Sequence, residues 1–186
     1  PLASEIKKIV SIPVIAVDRI NDLSLAAQII NEGQADLVAM GRALLADPDL
    51  PNKSLEGRFD EIRRCIACNQ GCRSDLKDET FCLQNPRTGR EATLNYAKVP
   101  SNDRKKILVA GAGPAGLEAA CVLAERGHHV KLYEQSSEAG GAFLLASKPP
   151  WKMGMFEVIR YRMNRLKDLG IEINLNKKVD LDTVKA

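Results

Sequence analysis

Four cysteines stand close together in the chain with the spacing Cys-x2-Cys-x3-Cys-x9-Cys: Cys65, Cys68, Cys72 and Cys82. Thiolate sulfur is the soft ligand that zinc and iron–sulfur clusters prefer. Zinc ribbons usually place two Cys-x2-Cys pairs well apart. Here three ligands are bunched and one is remote, as in many four-iron clusters. The spacing therefore predicts a 4Fe-4S cluster held by these four residues, with structural zinc as the alternative.

The remaining cysteine and the two histidines predict no chemistry of their own. Cys121 falls inside a predicted helix, where a lone cysteine is expected to be a small core residue. His128 and His129 are expected in an exposed turn before a strand. Clustered thiols are typical of a reducing compartment, where they bind metal rather than form disulfides, so a cytoplasmic location is expected.

The second chemical motif is a glycine-rich turn between a predicted strand, residues 106–110, and a predicted helix, residues 114–126. Gly111 permits a tight turn, Gly113 lets the backbone approach a pyrophosphate, and Gly116 lets helix and strand pack closely. Free N–H groups at the helix N-terminus then face the phosphates. The motif predicts a dinucleotide site formed by Gly111, Gly113, Pro114, Ala115 and Gly116.

An acidic residue supports this prediction and narrows the choice of dinucleotide. Glu134 ends the predicted strand 130–134, at the distance past Gly116 where a carboxylate can accept hydrogen bonds from a ribose diol. The same negative charge would repel a 2′-phosphate. The site therefore favours FAD or NAD over NADP.

Residues 1–62 have the alternating pattern of α/β repeats. Two short apolar runs, residues 12–17 and 35–40, are predicted as buried strands, and the apolar residues between them keep helical spacing. This order predicts parallel strands joined by a right-handed crossover. Residues 47–53 are expected to form turns, and residues 56–64 a short helix.

Gly41 and Arg42 follow the second of these strands directly. In α/β barrels, phosphate groups bind at the carboxyl ends of the strands, where backbone N–H groups and an arginine can hold a phosphate monoester. The pair is therefore a candidate phosphate site. Without other motifs beside it, a glycine and an arginine after a strand more often form an ordinary turn.

The rest of the chain divides at about residue 106. Residues 65–100 lack clear periodicity, and a bound metal would order them where a hydrophobic core does not; residues 101–105 are expected to be a linker. A second α/β domain follows, with a loop rich in Gly, Ser and Pro at 136–150, a helix at 155–169 and a strand at 171–175.

Composition argues against two classes of partner. Lysine and arginine number 27, and aspartate and glutamate 24, which gives a net charge of +3. This excess is too small and too dispersed to predict nucleic-acid binding. The longest apolar runs are far shorter than the roughly 18–20 residues of a membrane span. We therefore expect neither nucleic acid nor a membrane as a partner.

Taken in order, these motifs resemble the bacterial flavin- and iron–sulfur-dependent reductases related to 2,4-dienoyl-CoA reductase, 2-enoate reductase and trimethylamine dehydrogenase. The N-terminal half of those proteins is similar to old yellow enzyme. The resemblance lies within residues 12–120. It is carried by five segments: Ile12–Val17, Ala35–Pro48, Cys65–Cys72, Cys82–Pro86 and Val109–Ala120.

The resemblance implies an FMN-binding TIM barrel, then a 4Fe-4S cluster, then an FAD-binding domain with an inserted NAD(P)H-binding domain. Residues 1–62 would be the C-terminal end of the barrel, residues 63–105 the cluster segment and linker, and residues 106–186 an incomplete FAD/NAD(P)-binding domain. The chain would then be a fragment, inactive alone, that acts with the remainder of its own polypeptide.

The resemblance also assigns single residues. Gly41 and Arg42 would match the FMN phosphate site, and Gly140 and Gly141 the second glycine pair that often follows the acidic residue in FAD-binding domains. Two features depart from the family pattern. The family usually has glycine at the position of Asp18, and a carboxylate there would repel a phosphate unless it points away or Arg19 offsets it. The nine-residue loop between the third and fourth cysteines is somewhat short, yet long enough to span a cluster.

The leading hypothesis is an oxidoreductase. NAD(P)H would reduce FAD, electrons would pass singly through the cluster to FMN, and FMN would reduce an activated C=C bond of a small-molecule substrate, of the enoate or dienoyl-CoA type. Such a protein could form a homo-oligomer. The first alternative is an amine dehydrogenase of the same architecture with ADP in the second domain.

Two further alternatives come from other classes. One is an electron-delivery subunit resembling the small subunit of glutamate synthase, which also joins cysteine clusters to a glycine-rich FAD turn. The barrel-like segment 35–48 argues against it, because that segment has no place outside a barrel. The other is a zinc-bound interaction module with a degenerate nucleotide fold.

Overall fold

The computed structural model describes residues 2–73, 80–94 and 96–185. The chain forms two compact units, residues 1–91 and 92–186, and each unit contains its own sheet of parallel strands. The α/β class predicted from the sequence is confirmed. The finer division at residues 62 and 105 stays a prediction.

The first unit opens with helix α1 (Leu2–Lys7) and a two-stranded parallel sheet. Strand β1 (Ile15–Val17) pairs with β2 (Leu37–Ala39), and helix α2 (Leu23–Asn31) connects them. The predicted order of strand, helix and strand is confirmed. Both strands are shorter than the apolar runs that predicted them, because only three residues of each run pair with the neighbouring strand.

A small apolar core and a side-chain cap stabilise this strand–helix–strand unit. The Asp22 carboxylate accepts a hydrogen bond from the Ser24 N–H at 2.7 Å, which satisfies one of the free donors at the start of α2. The buried residues of this core are Ala16, Ile20, Ala26 and Ala35, and the three alanines among them let the helix lie close to the sheet.

Two short helices follow β2: α3 (Gly41–Ala46) and α4 (Leu50–Leu55). The prediction of a turn over residues 50–53 is wrong, because these residues begin α4. Pro51 lies in the first turn of that helix, where a proline costs no hydrogen bond because the N–H groups there have no partner within the helix. The helix expected over residues 56–64 is only a single 3-10 turn, Phe59–Glu61.

Among its described residues, the segment 63–91 contains no helix or strand. Side-chain hydrogen bonds to α3 hold it instead. The Asn85 amide and the Thr88 hydroxyl both donate to the Leu45 carbonyl oxygen, at 3.2 and 2.7 Å. The Asn85 oxygen accepts from Arg63 Nη1 at 2.7 Å. The absence of periodicity noted in the sequence therefore corresponds to irregular backbone in the described residues.

The second unit contains a three-stranded parallel sheet in the order β3 (Lys106–Ala110), β4 (His129–Tyr133), β5 (Ile173–Asn174). Helix α5 (Pro114–Glu125) connects β3 to β4 and packs against α7 (Glu157–Asp168). The strands and helices predicted here from periodicity are present. The last strand is shorter than predicted, and His129 begins β4 rather than lying in the turn before it.

The core of the second unit lies between its sheet and helices. Its buried residues are Ala112, Leu117, Ala120, Cys121, Leu132, Ala139, Ile159 and Leu166. Burial raises the pKa of the Cys121 thiol to about 12, and its sulfur lies 3.6 Å from the Arg162 carbonyl oxygen that accepts its hydrogen bond. Cys121 is thus the buried core residue that its helical position predicted.

The loop expected over residues 136–150 contains a short helix, α6 (Ala142–Ala146). A 3-10 turn, Met153–Phe156, leads into α7, and α8 (Leu181–Lys185) is the last described helix. The glycine and serine content therefore correctly predicted irregular backbone before α6, but it did not predict α6 itself. Among the helices described, none has both the length and the apolar character needed to cross a membrane.

Candidate cofactor-binding sites

The four clustered cysteines line one pocket of the first unit. All four are free thiols and partly buried. Gly71 and Phe81, which directly precede Cys72 and Cys82, also line this pocket. A Cβ atom at Gly71 would lie 2.3 Å from the Phe81 carbonyl oxygen, so only glycine permits this approach of the two stretches. The structure brings the four thiols to a common pocket, and metal binding by them stays a prediction.

The surroundings of Cys65 act on the pKa of its thiol in opposite directions. Burial raises the pKa of the Cys65 thiol, and Cys82 and Cys72 act in the same direction. The Ala67 N–H, which donates to Cys65 Sγ at 3.4 Å, and the charge of Arg42 oppose that rise. Since a metal ligand must be a thiolate, binding of a metal here would release this proton.

Among the described residues, no three His, Cys, Asp or Glu side chains lie close enough together to hold a single metal ion. A four-iron cluster distributes its cysteine ligands over four metal atoms, so a common pocket lined by four thiols fits that group. Most of the loop between Cys72 and Cys82, whose length departs from the family pattern, lies outside the described residues.

Gly41 and Arg42 line an open cleft of about 390 Å³ in the same unit. The cleft lies at the carboxyl ends of β1 and β2, and residues 17–21 and 39–43 form much of its wall. A Cβ atom at Gly41 would meet nothing within 4 Å, so the backbone there is open to a ligand. The two residues predicted as a phosphate site therefore lie where parallel strands commonly present one.

Side chains from two directions engage the Arg42 guanidinium. Its Nη2 donates to Asp18 Oδ1 at 2.9 Å, and its Nη1 donates to Asn69 Oδ1 at 2.6 Å. Arg42 lines both the cysteine pocket and the open cleft, so it stands between the two candidate sites of this unit. Asp18 does not point away from the predicted phosphate site, because it pairs with the arginine of that site.

The backbone at Asp18 has a conformation that favours glycine. Its φ angle is +101°, and that of Arg19 is +43°. Residues with a side chain rarely adopt positive φ, because Cβ then meets the following peptide. Asp18 therefore keeps a conformation that suits glycine.

In the second unit, the glycine-rich turn connects β3 to α5 as predicted. Gly111 has φ +98°, and its N–H donates to the Tyr133 carbonyl oxygen at 2.7 Å. A Cβ at Gly116 would lie 1.9 Å from the Gly111 oxygen, so helix and turn are in direct backbone contact. A Cβ at Gly113 would meet nothing within 4 Å, which leaves room beside the turn for a ligand.

Two more predicted residues complete this turn. Gly141, with φ +53°, lies so close to Gly113 that its Cβ would be 3.4 Å from the Gly113 Cα. The buried Glu134 carboxylate accepts hydrogen bonds from the Ala112 N–H at 2.7 Å and the Ser136 N–H at 2.9 Å. Those N–H groups lower its pKa, so it is held as the anion. Each oxygen keeps a second lone pair that could accept from a ribose.

Sequence reasoning missed two asparagines around the cysteines. Asn69 supports Arg42, and the Asn21 amide donates to the Cys65 carbonyl oxygen at 3.0 Å. A weak signal existed for Asn69: it directly follows Cys68, and asparagine is among the few residues that tolerate the positive φ of +57° found there. The contact of Asn21 joins residues distant in sequence and has no local signal.

Comparisons with known proteins match both units. Residues 2–61 match the model of the NADH:flavin oxidoreductase / NADH oxidase family. Residues 109–170 match an NAD(P)-binding Rossmann-like domain. The cysteine segment falls between the two matched regions.

Curated relatives match almost the whole chain. A metal reductase of Desulforamulus reducens is 46% identical over 98% of this chain and 27% of its own length. A cinnamate reductase of Clostridium sporogenes is 37% identical over 100% of this chain and 28% of its own length. The chain thus spans little more than a quarter of the relatives that it matches.

Solved structures give the same result. A 2-naphthoyl-CoA reductase in complex with 2-naphthoyl-CoA has a TM-score of 0.89 and 40% identity, covering 99% of this chain and 28% of that one. The 6-hydroxypseudooxynicotine amine oxidase of Pseudomonas geniculata N1 has a TM-score of 0.88 and 33% identity, covering 98% of this chain and 28% of that one. The similar structures therefore include both a reductase and an amine oxidase.

Proposed function

Because the chain belongs to the NADH:flavin oxidoreductase / NADH oxidase family, we propose that it is part of an oxidoreductase that reduces an activated C=C bond with electrons from NAD(P)H. The proposed substrate is of the enoate or dienoyl-CoA type. The proposed cofactors are FAD, a 4Fe-4S cluster and FMN, in the order in which electrons pass them. Flavins supply hydride exchange, and an iron–sulfur cluster supplies one-electron transfer between them.

The position of Arg42 is the observation that carries this proposal. Its side chain lines the pocket of the four thiols and also the cleft at the ends of β1 and β2. Groups bound in the pocket and the cleft would be neighbours, as electron transfer between a cluster and a flavin requires. Gly41 would offer open backbone to a flavin phosphate, and Arg42 its guanidinium.

The glycine-rich turn supplies the residues for the second flavin. Gly113 leaves room for a pyrophosphate, and the N-terminus of the twelve-residue α5 directs its free N–H groups to that side. Glu134 would accept from the ribose with the lone pairs that the protein leaves free. A carboxylate held as the anion disfavours a 2′-phosphate, which supports FAD or NAD at this turn.

Two similar proteins favour reduction of a C=C bond as the reaction. One is named a cinnamate reductase, and cinnamate is an enoate. The other is a 2-naphthoyl-CoA reductase, which acts on an acyl-CoA. The proposal names a substrate class only. We also propose that the chain acts within a longer polypeptide, which could form a homo-oligomer.

Metal and flavin analysis of the full-length protein, purified without oxygen, tests the proposal. We expect a brown protein with about four irons and four acid-labile sulfides per chain, together with FMN and FAD in the extract. NAD(P)H should bleach the flavin absorbance, and an enoate or enoyl-CoA should restore it. Stoichiometric zinc without iron would overturn the cluster and the reaction that depends on it.

An amine dehydrogenase of the same architecture is the second candidate, favoured by the 0.88 TM-score to an amine oxidase. In that case the turn at Gly111 would hold ADP, because Glu134 serves the ribose of either ligand. The extract would then contain FMN and ADP but no FAD, and an amine rather than NAD(P)H would reduce the flavin. The higher identity of the reductases, 40% against 33%, places C=C reduction first.

A further inference from the structure

We infer that Asp18 is a built-in competitor for the phosphate site of this chain. Its carboxylate forms an ion pair with Arg42, the cation that would bind a flavin phosphate. This ion pair lowers the affinity of the cleft for a phosphorylated flavin. This inference rests on the proposed function, because it takes Arg42 as the phosphate ligand. It goes beyond that function by predicting an FMN that is held loosely and exchanges with the solution.

The ion pair between Asp18 and Arg42 has the geometry that this inference requires. Asp18 Oδ1 lies 2.9 Å from Arg42 Nη2, an ordinary distance for a charged hydrogen bond. The Asp18 side chain is 85% exposed, whereas that of Arg42 is only 24% exposed. The carboxylate therefore approaches the guanidinium from the solvent side, which is the side from which a ligand must come.

The other contact of Arg42 fixes the guanidinium in this position. Asn69 accepts from Nη1 at 2.6 Å, while Nη2 serves Asp18. A phosphate that replaced the carboxylate could keep the contact with Asn69 and would have to displace only Asp18. The competition thus concerns one donor group, and the rest of the site can stay in place.

The Asp18 carboxylate lies at a backbone position that carries a conformational cost. At φ +101° glycine is the residue of least strain, yet Asp18 occupies the position. Arg19 and Arg73 also line the cleft, so the part of its wall that the structure describes carries three arginines and one carboxylate. Replacing Asp18 by a neutral residue would therefore leave this part of the wall purely cationic, suited to a dianionic phosphate.

A variant of the full-length apoprotein that lacks the Asp18 charge tests the inference. Binding of each flavin is measured by the quenching of its fluorescence. Asp18→Asn keeps the shape of the side chain and removes its charge. FMN should bind about fivefold more tightly, the upper end of the effect of an exposed ion pair. Riboflavin, which has no phosphate, should bind as before, and inorganic phosphate should compete with FMN more strongly in the variant.

Two controls separate charge from other effects. Glu56→Gln removes a carboxylate from another exposed ion pair of the unit, with Arg58 Nε at 2.6 Å, and should leave both flavin affinities unchanged. Asp18→Gly removes the carboxylate and also suits the positive φ, so it provides the test if Asp18→Asn does not fold. Unchanged FMN affinity in the Asp18 variant, or an equal gain for riboflavin, would overturn the inference.

Arg42→Ala distinguishes this inference from the proposed function. If Arg42 holds the phosphate, its loss weakens FMN binding and leaves riboflavin binding unchanged. An Arg42→Ala protein that binds FMN normally would refute the phosphate site itself. A protein in which Arg42→Ala weakens FMN binding but Asp18→Asn does not strengthen it would refute the competition alone.

Discussion

The two units hold their candidate cofactor residues in different ways. In the second unit, regular structure fixes the glycine-rich turn: the Gly111 N–H donates to Tyr133 in β4, and the turn opens directly into α5. In the first unit, the cysteines lie on irregular backbone. Side chains such as Asn85 hold this backbone by hydrogen bonds to neighbouring elements, here to the Leu45 carbonyl oxygen in α3. Regular structure thus holds the turn, whereas side-chain hydrogen bonds between distant residues hold the backbone of the thiol pocket.

Loss of one cysteine should have the largest effect, because a cluster depends on all of its ligands. Cys68→Ser in the full-length protein should abolish most of the bound iron and sulfide, measured by metal analysis and visible absorbance. Cys121→Ala is the matched control, since that thiol is buried in the core of the other unit. Full iron content in Cys68→Ser, or equal loss in both variants, would contradict the assignment.

Two alanine substitutions in the glycine-rich turn should separate folding from binding. Gly116→Ala places a methyl group 1.9 Å from the Gly111 oxygen and should destabilise the second unit by about 3 kcal/mol. Gly113→Ala meets no protein atom within 4 Å, so it should fold normally and lose the dinucleotide. Amide hydrogen exchange over residues 106–134, together with FAD content, measures both effects. Equal protection from exchange in the two variants would argue against a turn fixed by close packing.

Removal of a buried amide tests whether side chains position the cysteine segment. Asn85→Ala deletes hydrogen bonds to Leu45 and Arg63 and should destabilise the first unit by about 2 kcal/mol, because buried polar partners lose their contacts. The change is detectable as a lower unfolding midpoint and easier loss of iron. Asn52→Ala, which removes an exposed contact to Asp49 at 2.8 Å, is the control and should have little effect. Similar midpoints for the two variants would show that the segment does not depend on this amide.

The same contrast explains how much the sequence could predict. The parallel strands, α5 and the turn at Gly111 follow from local periodicity and from glycines whose backbone conformation is specific. The cysteine spacing predicts a site but not the backbone around it, because that backbone depends on contacts between distant residues, such as Asn21 with Cys65. The pairing of Asp18 with Arg42 likewise joins two strand ends, and nothing in the spacing of either residue predicts it.

The α4 helix is a second example of this limit. Pro51 and Asn52 are residues typical of turns, and they predicted one. They are equally compatible with the first turn of a helix, where proline lacks only a hydrogen bond that no residue could make. Local composition did not distinguish these two outcomes, and the burial of Leu50 at 1% exposure favours the helix.

The smallest effect should come from neutralising Glu134, and it has a defined pH dependence. The Ala112 and Ser136 N–H groups lower its pKa from the ordinary value of 4.5. A lowered folded-state pKa stabilises the unit fully above pH 4.5, and this contribution is lost as the pH falls through the lower value. Glu134→Gln should cost about 1 kcal/mol at pH 7, the difference between a charged and a neutral hydrogen-bond acceptor. At pH 3 the cost should shrink. A cost that is independent of pH between 7 and 3 would mean that the charge does not fix the turn, and the contrast between a turn fixed by its own backbone and a pocket held by side-chain contacts would weaken.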